Sequence, residues 1–416
     1  MENKVDVIII GGGLLGSATA YQLAKRGAGR ILLFERQDIA SQASARAACL
    51  LTRARTKTVV MKLVQETYDC IAEIETLLGD SLELQQCGSL TIASSQASQK
   101  GLEELERAAD SFGIANERLT PVQVKYLLPW IEKEQIIEAL HMPTDGYIDS
   151  ALLCCGYSRA AQKLGVEVRT RCGVRQILSS PSGSLSKAGG SVCGVELENG
   201  ERVYAPIVVN AAGAWANLLS YPLGVGLPLT PVRSHFWITE VDEANFPSHQ
   251  PFTVIPDARA FTRPDVGAMI IGIREPECVS FDPKEMLRSI EDVDFERGDK
   301  WRILSQCAPL FEPFFKAVKQ VGIAHYVAGP SCYVPDAMFV LGEVKKVNGL
   351  FAVTGCCGAG VAAGGGMARL VAEQILGITP FVDPTPFAPE RLGEINPFDS
   401  AFQRRCAEAR SNKKGG

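Results

Sequence analysis

Histidine and long apolar segments are both scarce in this 416-residue sequence. It contains only four histidines, and none lies among the cysteines at the spacing of a zinc site, so we expect no metal centre. No apolar run reaches the roughly 18 residues that a membrane-spanning helix requires. The first predicted strand begins at Val5, which leaves no room for a signal peptide and predicts a cytoplasmic protein.

A strong charge imbalance is also missing. The chain has 42 basic and 47 acidic residues and a formal net charge of −5, which gives no reason to expect a nucleic-acid partner. Its 13 cysteines are odd in number and scattered, so we expect free thiols. At 416 residues the chain is long enough for two domains.

The most informative stretch lies at the N-terminus. A β-branched apolar run at 5–10 predicts a buried parallel strand, and Gly11, Gly13 and Gly16 follow it in G-x-G-x-x-G spacing. A helical pattern and a second apolar run come next, and that run ends at Glu35. The glycines permit a tight turn, close approach of a pyrophosphate and close helix packing, while a carboxylate at Glu35 suits a ribose. The order of these features predicts a dinucleotide site.

A second glycine-rich turn occurs late in the chain. A predicted strand at 349–355 enters the turn at 355–366, and a helix pattern follows at 367–376. Between the two turns, the clearest other strands are at 232–239 and 267–272. Helix patterns occur at 62–78, 101–112, 120–128, 151–164 and 299–311. The polar stretch at 179–191 predicts a hairpin tip or a loose loop.

These motifs, in this order, resemble the FAD-dependent amine and amino-acid oxidoreductases related to D-amino-acid oxidase. Members include sarcosine oxidase, glycine oxidase, and the dimethylglycine and sarcosine dehydrogenases. The resemblance covers nearly the whole chain. It is carried by GGGLLG with Glu35, by Ser44-x-Arg46, and by PTDGYID at 143–149, VVNAAGAW at 208–215, GPSCYVPD at 329–336 and GLFAVTGCCGAG at 349–360.

The resemblance implies an α/β plus α+β protein. A Rossmann-like FAD-binding domain would be interleaved with a substrate domain built on an antiparallel sheet. The FAD domain would comprise 1–85, 145–222 and 326–395, and the substrate domain 86–144 and 223–325. Residues 396–416 are polar and predicted to form a peripheral tail.

The resemblance also implies FAD as the cofactor, and the late glycine turn would place backbone N–H groups near the flavin. The predicted cofactor residues are Gly11, Gly13, Leu14, Leu15, Gly16, Glu35, Arg36, Ser44, Arg46, Ala47, Val174, Ala212, Gly213, Trp215, Gly355, Cys357, Gly358, Ala359, Gly360 and Val361. The dehydrogenase branch attaches its flavin through a histidine in the segment matching 44–48, which holds arginine or alanine here. We therefore predict non-covalent FAD, with attachment through Cys332 as the alternative.

The resemblance further implies which residues hold the substrate. Glycine oxidases bind the substrate carboxylate with an arginine at the position of Ser331. A serine cannot form the same ion pair with a carboxylate, so another residue must bind it here. Monomeric sarcosine oxidases use an arginine that matches Arg53, which predicts a carboxylate ligand there or, as the fallback, at Arg55. An FAD-phosphate or solvent contact remains the alternative for Arg53. Tyr333 and Arg274 are predicted to line the same cavity, with a surface position the alternative for Arg274. His235 and Trp237 share a strand face that could be pocket wall or core.

The predicted function is hydride transfer from the C–N carbon of a small amine or N-substituted amino acid that carries a carboxylate. The alternatives are a 2-hydroxy-acid dehydrogenase and a non-catalytic flavoprotein subunit or assembly factor. The electron acceptor would be O₂, or a quinone or electron-transfer protein. Sarcosine oxidases carry a lysine on the strand matching 268–272, where Ile270 stands here, so the sequence favours a dehydrogenase that reacts slowly with oxygen. Association into a homo-oligomer is left open.

Overall fold

The computed structural model describes residues 4–180, 190–286, 289–295 and 300–413, so the predicted hairpin tip at 179–191 lies largely outside the described residues. The helices in these ranges are α1 Leu14–Lys25, α2 Thr58–Leu78, α3 Gln96–Ser111, α4 Pro121–Leu127, α5 Ser150–Lys163, α6 Ala216–Ser220, α7 Lys300–Phe311, α8 Gly360–Ile375 and α9 Ser400–Ser411. The strands are β1 Val7–Ile10, β2 Ile31–Phe34, β3 Leu50–Leu51, β4 Ser89–Ala93, β5 Glu117–Leu119, β6 Glu138–Met142, β7 Gly146–Tyr147, β8 Glu167–Arg169, β9 Val174–Ser180, β10 Ser191–Leu197, β11 Arg202–Tyr204, β12 Ile207–Asn210, β13 Thr230–Thr239, β14 Phe252–Ile255, β15 Ala260–Asp265, β16 Ala268–Ile273, β17 Ile323–Tyr333, β18 Val340–Glu343 and β19 Leu350–Thr354.

The first large sheet has six strands in the order β18-β19-β12-β1-β2-β8. All neighbours are parallel except β18 and β19. Strand β1 lies near the centre, and its four residues are each at most 5% exposed, as expected for an apolar run covered on both faces. The parallel order brings the carboxyl ends of β1, β2, β12 and β19 to one edge of the sheet, where ligands of such sheets bind.

Helix α8 packs closely on the neighbouring helix α2 through the consecutive glycines Gly365 and Gly366. A Cβ atom on Gly366 would lie 2.2 Å from the Cα atom of Leu63, and one on Gly365 would lie 2.8 Å from the Cα atom of Thr67. Only glycine allows this approach of the two backbones. The contact fixes the start of α8 and therefore the late glycine turn that precedes it.

The second large sheet has eight strands in the order β17-β13-β16-β15-β14-β4-β6-β5. Its pairs are antiparallel, except that β14 and β4 run parallel. The long pair β13 and β17 places His235 opposite Ala328 and Thr230 opposite Tyr333. This register places His235 near the middle of the paired strands and Tyr333 at the end of the pair.

The two sheets draw their strands from the segments predicted for the two domains, with one exception. Strand β17 begins in the predicted substrate segment and continues across the predicted boundary at 325. The predicted peripheral tail is wrong. Helix α9 packs against β13 and β17, and Phe402 and Cys406 on it are 3% and 0% exposed. Because residues four apart lie on the same side of a helix, Phe402 and Cys406 form a buried face on an otherwise polar segment.

No helix in the described part of the chain is long and apolar enough to cross a membrane. All 13 cysteines lie in the described ranges, and each is a free thiol.

Candidate active site

The turn between β1 and α1 forms one end of a large cavity. A Cβ atom on Gly16 would lie 1.9 Å from the carbonyl oxygen of Gly11, so helix and turn are in direct contact there. Gly11 has a φ of +107°, and its own Cβ position lies 2.5 Å from the carbonyl oxygen of Ala211. Gly13 is the N-cap of α1 and lines the cavity, as does Gly11. The start of a twelve-residue helix thus faces the cavity and favours a negatively charged group there.

Glu35 follows β2 directly and lines the same end of the cavity. Its two oxygens accept hydrogen bonds from the backbone N–H of Gly12 at 2.6 Å and of Gln37 at 2.8 Å. These bonds fix the carboxylate, which is 8% exposed, at the mouth of the glycine turn. A fixed carboxylate beside a helix N-terminus offers a ribose and a pyrophosphate the groups that each requires, so these residues fit the ADP half of FAD.

The segment at 42–50 lines the middle of the cavity. Ser44 Oγ accepts a hydrogen bond from the backbone N–H of Leu14 at 3.0 Å, which ties this segment to the start of α1. Arg46 Nη1 donates to the carbonyl oxygen of Ala328 on β17 at 2.9 Å. The segment therefore links helix α1 to strand β17 of the second sheet along the cavity wall.

The late glycine turn and Tyr333 form the other end of the cavity. A Cβ atom on Gly358 would lie 2.8 Å from the hydroxyl oxygen of Tyr333 and 3.4 Å from Nζ of Lys413. Tyr333 is 1% exposed, and its hydroxyl oxygen accepts a hydrogen bond from Arg410 Nη1 at 3.0 Å. Burial raises the pKa of this phenol, so it stays neutral. Lys413 Nζ donates to the carbonyl oxygen of Cys357 at 3.3 Å.

This end of the cavity is rich in positive charge. Among the described residues, five cationic side chains line it: Arg55, Arg259, Arg274, Arg410 and Lys413. Among the acidic residues that the structure describes, Glu35 alone belongs to the same lining, and it lies at the opposite end. Burial, together with the charges of Arg55, Arg274 and Arg410, lowers the pKa of Lys413 to about 7. The end of the cavity opposite Glu35 is therefore suited to binding anions.

His235 also lines the cavity, so its side of β13 forms part of the pocket wall. Its Nε2 lies 2.9 Å from the carbonyl oxygen of Ile273, and its Nδ1 lies 3.2 Å from the Tyr326 hydroxyl. A carbonyl oxygen only accepts, so Nε2 carries the proton and donates it. Burial lowers the pKa of His235 to about 4, so the ring is neutral at physiological pH. Trp237 is fully buried and belongs to the core.

Most residues predicted for the cofactor line this single cavity. They are Gly11, Gly13, Leu14, Leu15, Glu35, Arg36, Ser44, Arg46, Ala47, Val174, Ala212, Gly213, Trp215, Gly355, Gly358, Gly360 and Val361, and Tyr333 and Arg274 lie with them. Gly16, Cys357 and Ala359 stand behind the wall rather than in it. Cys332 lines the cavity, and burial raises the pKa of its thiol well above the ordinary value, which opposes thiolate chemistry there.

The expectation for Arg53 requires correction. Its guanidinium lies 3.4 Å from the ring centre of Tyr68, and its Nη1 donates to Gln65 Oε1 at 3.0 Å. Its Nε donates to the carbonyl oxygen of Thr144 at 3.2 Å, outside the cavity lining. Arg55 lines the cavity instead. The side chain of Arg53 is held by Tyr68 and Thr144, outside the lining, although Arg55 of the same segment is part of it.

Sequence reasoning did not find Arg259, Arg410 or Lys413. For Arg410 a signal existed, because Phe402, Cys406 and Arg410 recur every four residues after a helix-capping Asp399. That spacing puts them on one face of a helix, and the two apolar members show that the face is buried. In the described ranges no group of three or more histidine, cysteine or acidic side chains is arranged to hold a metal ion.

Comparisons with known proteins agree with this site. A family model described as "DAO: FAD dependent oxidoreductase" matches residues 6–374. The chain is 27% identical over 390 residues to 4-methylaminobutanoate oxidase (formaldehyde-forming) from Paenarthrobacter nicotinovorans, covering 92% of this chain and 45% of that protein. It is 28% identical over 381 residues to mitochondrial sarcosine dehydrogenase from Mus musculus, covering 90% and 40%. The chain thus spans less than half the length of these two relatives.

Solved structures show the same fold. L-Proline dehydrogenase from P. horikoshii superposes with a TM-score of 0.80 at 22% identity, covering 94% of this chain and 98% of that one. Glycine oxidase from Geobacillus kaustophilus gives 0.75 at 21% identity, covering 94% and 99%. The family match spans nearly the whole chain, and Gly11, Gly13 and Glu35, whose arrangement fits the ADP half of FAD, line one end of the cavity. The chain therefore belongs to the DAO family of FAD-dependent oxidoreductases.

Proposed function

We propose that the protein oxidises a small amine or N-substituted amino acid that carries a carboxylate. One observation carries this proposal. A single cavity joins the glycine turn and Glu35 at one end to Arg55, Arg274 and Lys413 at the other. Cations at the end remote from the dinucleotide turn suit a substrate carboxylate, because arginine can donate two parallel hydrogen bonds to one.

The chemistry follows from this charge distribution. FAD, when bound, accepts a hydride from the carbon that bears the nitrogen. The C–H bond breaks, the nitrogen lone pair forms a C=N bond, and water then adds so that the C–N bond breaks to give a carbonyl compound and a smaller amine. The cations of the cavity disfavour an ammonium ion beside them, so they favour the neutral amine that can supply this lone pair. The rings of Phe261 and Tyr333 line the same cavity, and apolar rings there would shield the reacting carbon from water.

An anaerobic titration tests the proposal. We expect sarcosine, dimethylglycine, 4-methylaminobutanoate or L-proline to bleach the flavin absorbance, with the matching carbonyl product or cyclic imine detected. Bleaching by lactate alone would instead favour oxidation of a 2-hydroxy acid. Dithionite serves as the control, because it reduces the flavin whatever the natural substrate.

A non-catalytic role is the second candidate, and one comparison favours it. The mouse mitochondrial pyruvate dehydrogenase phosphatase regulatory subunit is 26% identical over 416 residues, covering 97% of this chain and 45% of that protein. That relative is, by its name, a regulatory subunit of a phosphatase. Bleaching by dithionite but by no amine or hydroxy acid would support this second role and contradict the first.

The electron acceptor is proposed as either O₂, or a quinone or electron-transfer protein. Ile270 on β16 is 2% exposed and does not line the cavity. The absence of a lysine at this position therefore does not indicate how fast the reduced flavin reacts with O₂. Lys413 brings an ammonium group to the cavity from another element. Stopped-flow reoxidation of the substrate-reduced protein in air-saturated buffer separates the two. Reoxidation as fast as turnover, with stoichiometric peroxide, indicates an oxidase.

Removing the Glu35 carboxylate should weaken FAD binding. We expect Glu35→Ala to lose two charge-assisted contacts to the ribose, and each such bond is worth about 1.5–3 kcal/mol, so FAD affinity should fall at least about tenfold. Dialysis followed by fluorescence titration with FAD measures this. Glu312→Ala, on a partly exposed carboxylate that pairs with Lys319 at 2.6 Å and lies outside the cavity lining, is the control. Full retention of FAD by Glu35→Ala would contradict the role.

The FAD should be non-covalent. The 44–48 segment has no histidine, and the Cys332 thiol stays protonated in its buried position. Acid precipitation should therefore release the yellow colour into the supernatant. Colour retained in the pellet of the wild type but not of Cys332→Ser would show attachment through Cys332 instead.

A further inference from the structure

The phenol of Tyr333 lies between the cavity and helix α9. Its side chain lines the cavity, and its hydroxyl oxygen accepts a hydrogen bond from Arg410 Nη1 at 3.0 Å. We propose that Arg410 is a positioning residue, which fixes the Tyr333 hydroxyl as a hydrogen-bond donor to the carboxylate of the substrate. This inference rests on the proposed function, because it names the group that receives the carboxylate in the same cavity.

The chemistry of the two side chains fixes the direction of their hydrogen bond. A guanidinium group has only donors, so the oxygen of Tyr333 accepts, and its hydroxyl hydrogen is left for a different acceptor. Burial raises the pKa of the phenol, so this hydrogen is present at neutral pH. No residue in the described ranges accepts it. Buried donors are rarely left without an acceptor, and a ligand in the cavity is placed to supply one.

Helix α9 holds Arg410 at both of its ends. The first turn is capped by Asp399, whose side chain accepts from the backbone N–H of Phe402 at 2.8 Å. The last turn is tied to the segment that follows β16, because Ser411 Oγ accepts from the backbone N–H of Cys278 at 3.0 Å. Arg410 itself is 7% exposed. Its guanidinium can therefore hold the phenol in one orientation.

The late glycine turn confines the hydroxyl from another side. A Cβ atom on Gly358 would lie 2.8 Å from the hydroxyl oxygen of Tyr333, so glycine leaves the room that the phenol occupies. Gly358 also has a φ of +77°, which favours glycine at this position. The Tyr333 hydroxyl is therefore enclosed by the turn and by Arg410.

A carboxylate suits this hydroxyl better than a neutral acceptor does. The guanidinium carbon of Arg410 lies 5.5 Å from the ring centre of Tyr333, and a cation that donates to the phenol oxygen makes the O–H group a stronger donor. Hydrogen bonds to ionised acceptors are shorter and stronger than those to neutral ones. Arg259 and Lys413 line the same end of the cavity, so a negative charge is favoured there.

Two matched probes test the contact on the purified holoprotein. (Methylthio)acetate has sulfur in place of the amine nitrogen, and ethyl methyl sulfide has in addition a methyl group in place of the carboxylate. Titration of the flavin spectrum, together with calorimetry, gives the dissociation constant of each. We expect Tyr333→Phe to weaken (methylthio)acetate about 10- to 150-fold, as for the loss of one charge-assisted hydrogen bond, and to change ethyl methyl sulfide less than about twofold.

A double-mutant cycle tests whether Arg410 acts through the phenol. Arg410→Met should weaken (methylthio)acetate at least about tenfold in the wild-type background but less than about threefold in Tyr333→Phe, because the group that it positions is then missing. Arg410→Lys retains a charged donor and should recover most of the affinity. Arg404→Met is the control, because Arg404 lies on the same helix but is exposed.

Three results would overturn the inference. Additive effects of Arg410→Met and Tyr333→Phe would show that Arg410 meets the ligand or the cofactor by itself. Equal weakening of both probes by Tyr333→Phe would show that the hydroxyl only shapes the cavity. An unchanged affinity for (methylthio)acetate in Tyr333→Phe, with a shifted absorbance of the ligand-free flavin, would show that the hydroxyl donates to the flavin.

This outcome is separable from that of the proposed function. Flavin bleaching by sarcosine, with no effect of Tyr333→Phe on (methylthio)acetate, would leave the amine oxidation standing and remove the contact with the phenol. The expected coupling between Arg410 and Tyr333, without bleaching by any amine, would support the contact and remove the amine oxidation.

Discussion

Gly16→Ala should abolish FAD retention and sharply lower the stability of the protein. The new Cβ atom would lie 1.9 Å from the carbonyl oxygen of Gly11 and 3.4 Å from the Cβ atom of Ala211. Both the helix and the turn are fixed by backbone contacts, so either α1 or the turn that holds the pyrophosphate must move. Overpacking of this kind costs about 1–3 kcal/mol and occasionally more. The ratio of FAD to protein after gel filtration and the midpoint of urea unfolding measure the two effects.

Gly101→Ala is the matched control for this variant. Gly101 also lies in a helix, α3, but nothing stands within 4 Å of its Cβ position. Alanine there should stabilise the protein by about 0.5–1 kcal/mol, because glycine is unfavourable within helices. Unchanged FAD content and stability in Gly16→Ala would show that the turn adapts, and would contradict the close packing described above.

Arg55→Met should lower kcat/KM for a carboxylate substrate about 10- to 150-fold, while Arg53→Met should change it less than about threefold. The first variant removes a cation from the cavity wall, and a charge-assisted hydrogen bond is worth about 1.5–3 kcal/mol. The second removes a side chain that stacks on Tyr68 outside the lining. Steady-state kinetics with a substrate identified by flavin bleaching give both values.

The two arginines lie two residues apart, which makes them a well-matched pair for this comparison. Both variants lose one positive charge from the same segment, so any long-range effect on the cavity is similar in the two. An intact flavin spectrum in each variant shows that the cofactor site is unaffected. The reverse ranking, with Arg53→Met the slower enzyme, would restore the role that the sequence match gave to Arg53.

The dinucleotide end of the site could be predicted because its determinants are local. Gly11, Gly13 and Glu35 lie within 25 residues of one another, and the strand and helix between them fix their relative positions. Residues matched through VVNAAGAW and the late glycine turn also line the cavity, since parallel strands bring their carboxyl ends to one edge. Spacing along the chain is sufficient information for such positions.

The cationic end could not be predicted in the same way. Whether Arg53 or Arg55 enters the cavity depends on Tyr68 and Thr144, which lie 15 and 91 residues from Arg53 in the sequence. Arg410 reaches Tyr333 across 77 residues because α9 folds back on β13 and β17. The polar composition of residues 396–416 suggested a solvated tail. Only the four-residue spacing of the buried positions on α9 indicated a helix packed against the protein. In both cases, contacts between residues distant in the sequence determine which side chain lines the cavity.

The cation cluster also links protons, ligand and thermal stability. In the folded protein the pKa of Lys413 is lowered to about 7, whereas in the unfolded chain it has the ordinary value of 10.5. Between these two values the unfolded chain binds more protons, so the ligand-free protein should become more stable as the pH rises from about 7 towards 10. An anion beside Lys413 restores its proton and removes this dependence. Such an anion should therefore raise the melting temperature most below pH 7, where the repulsion it relieves is complete.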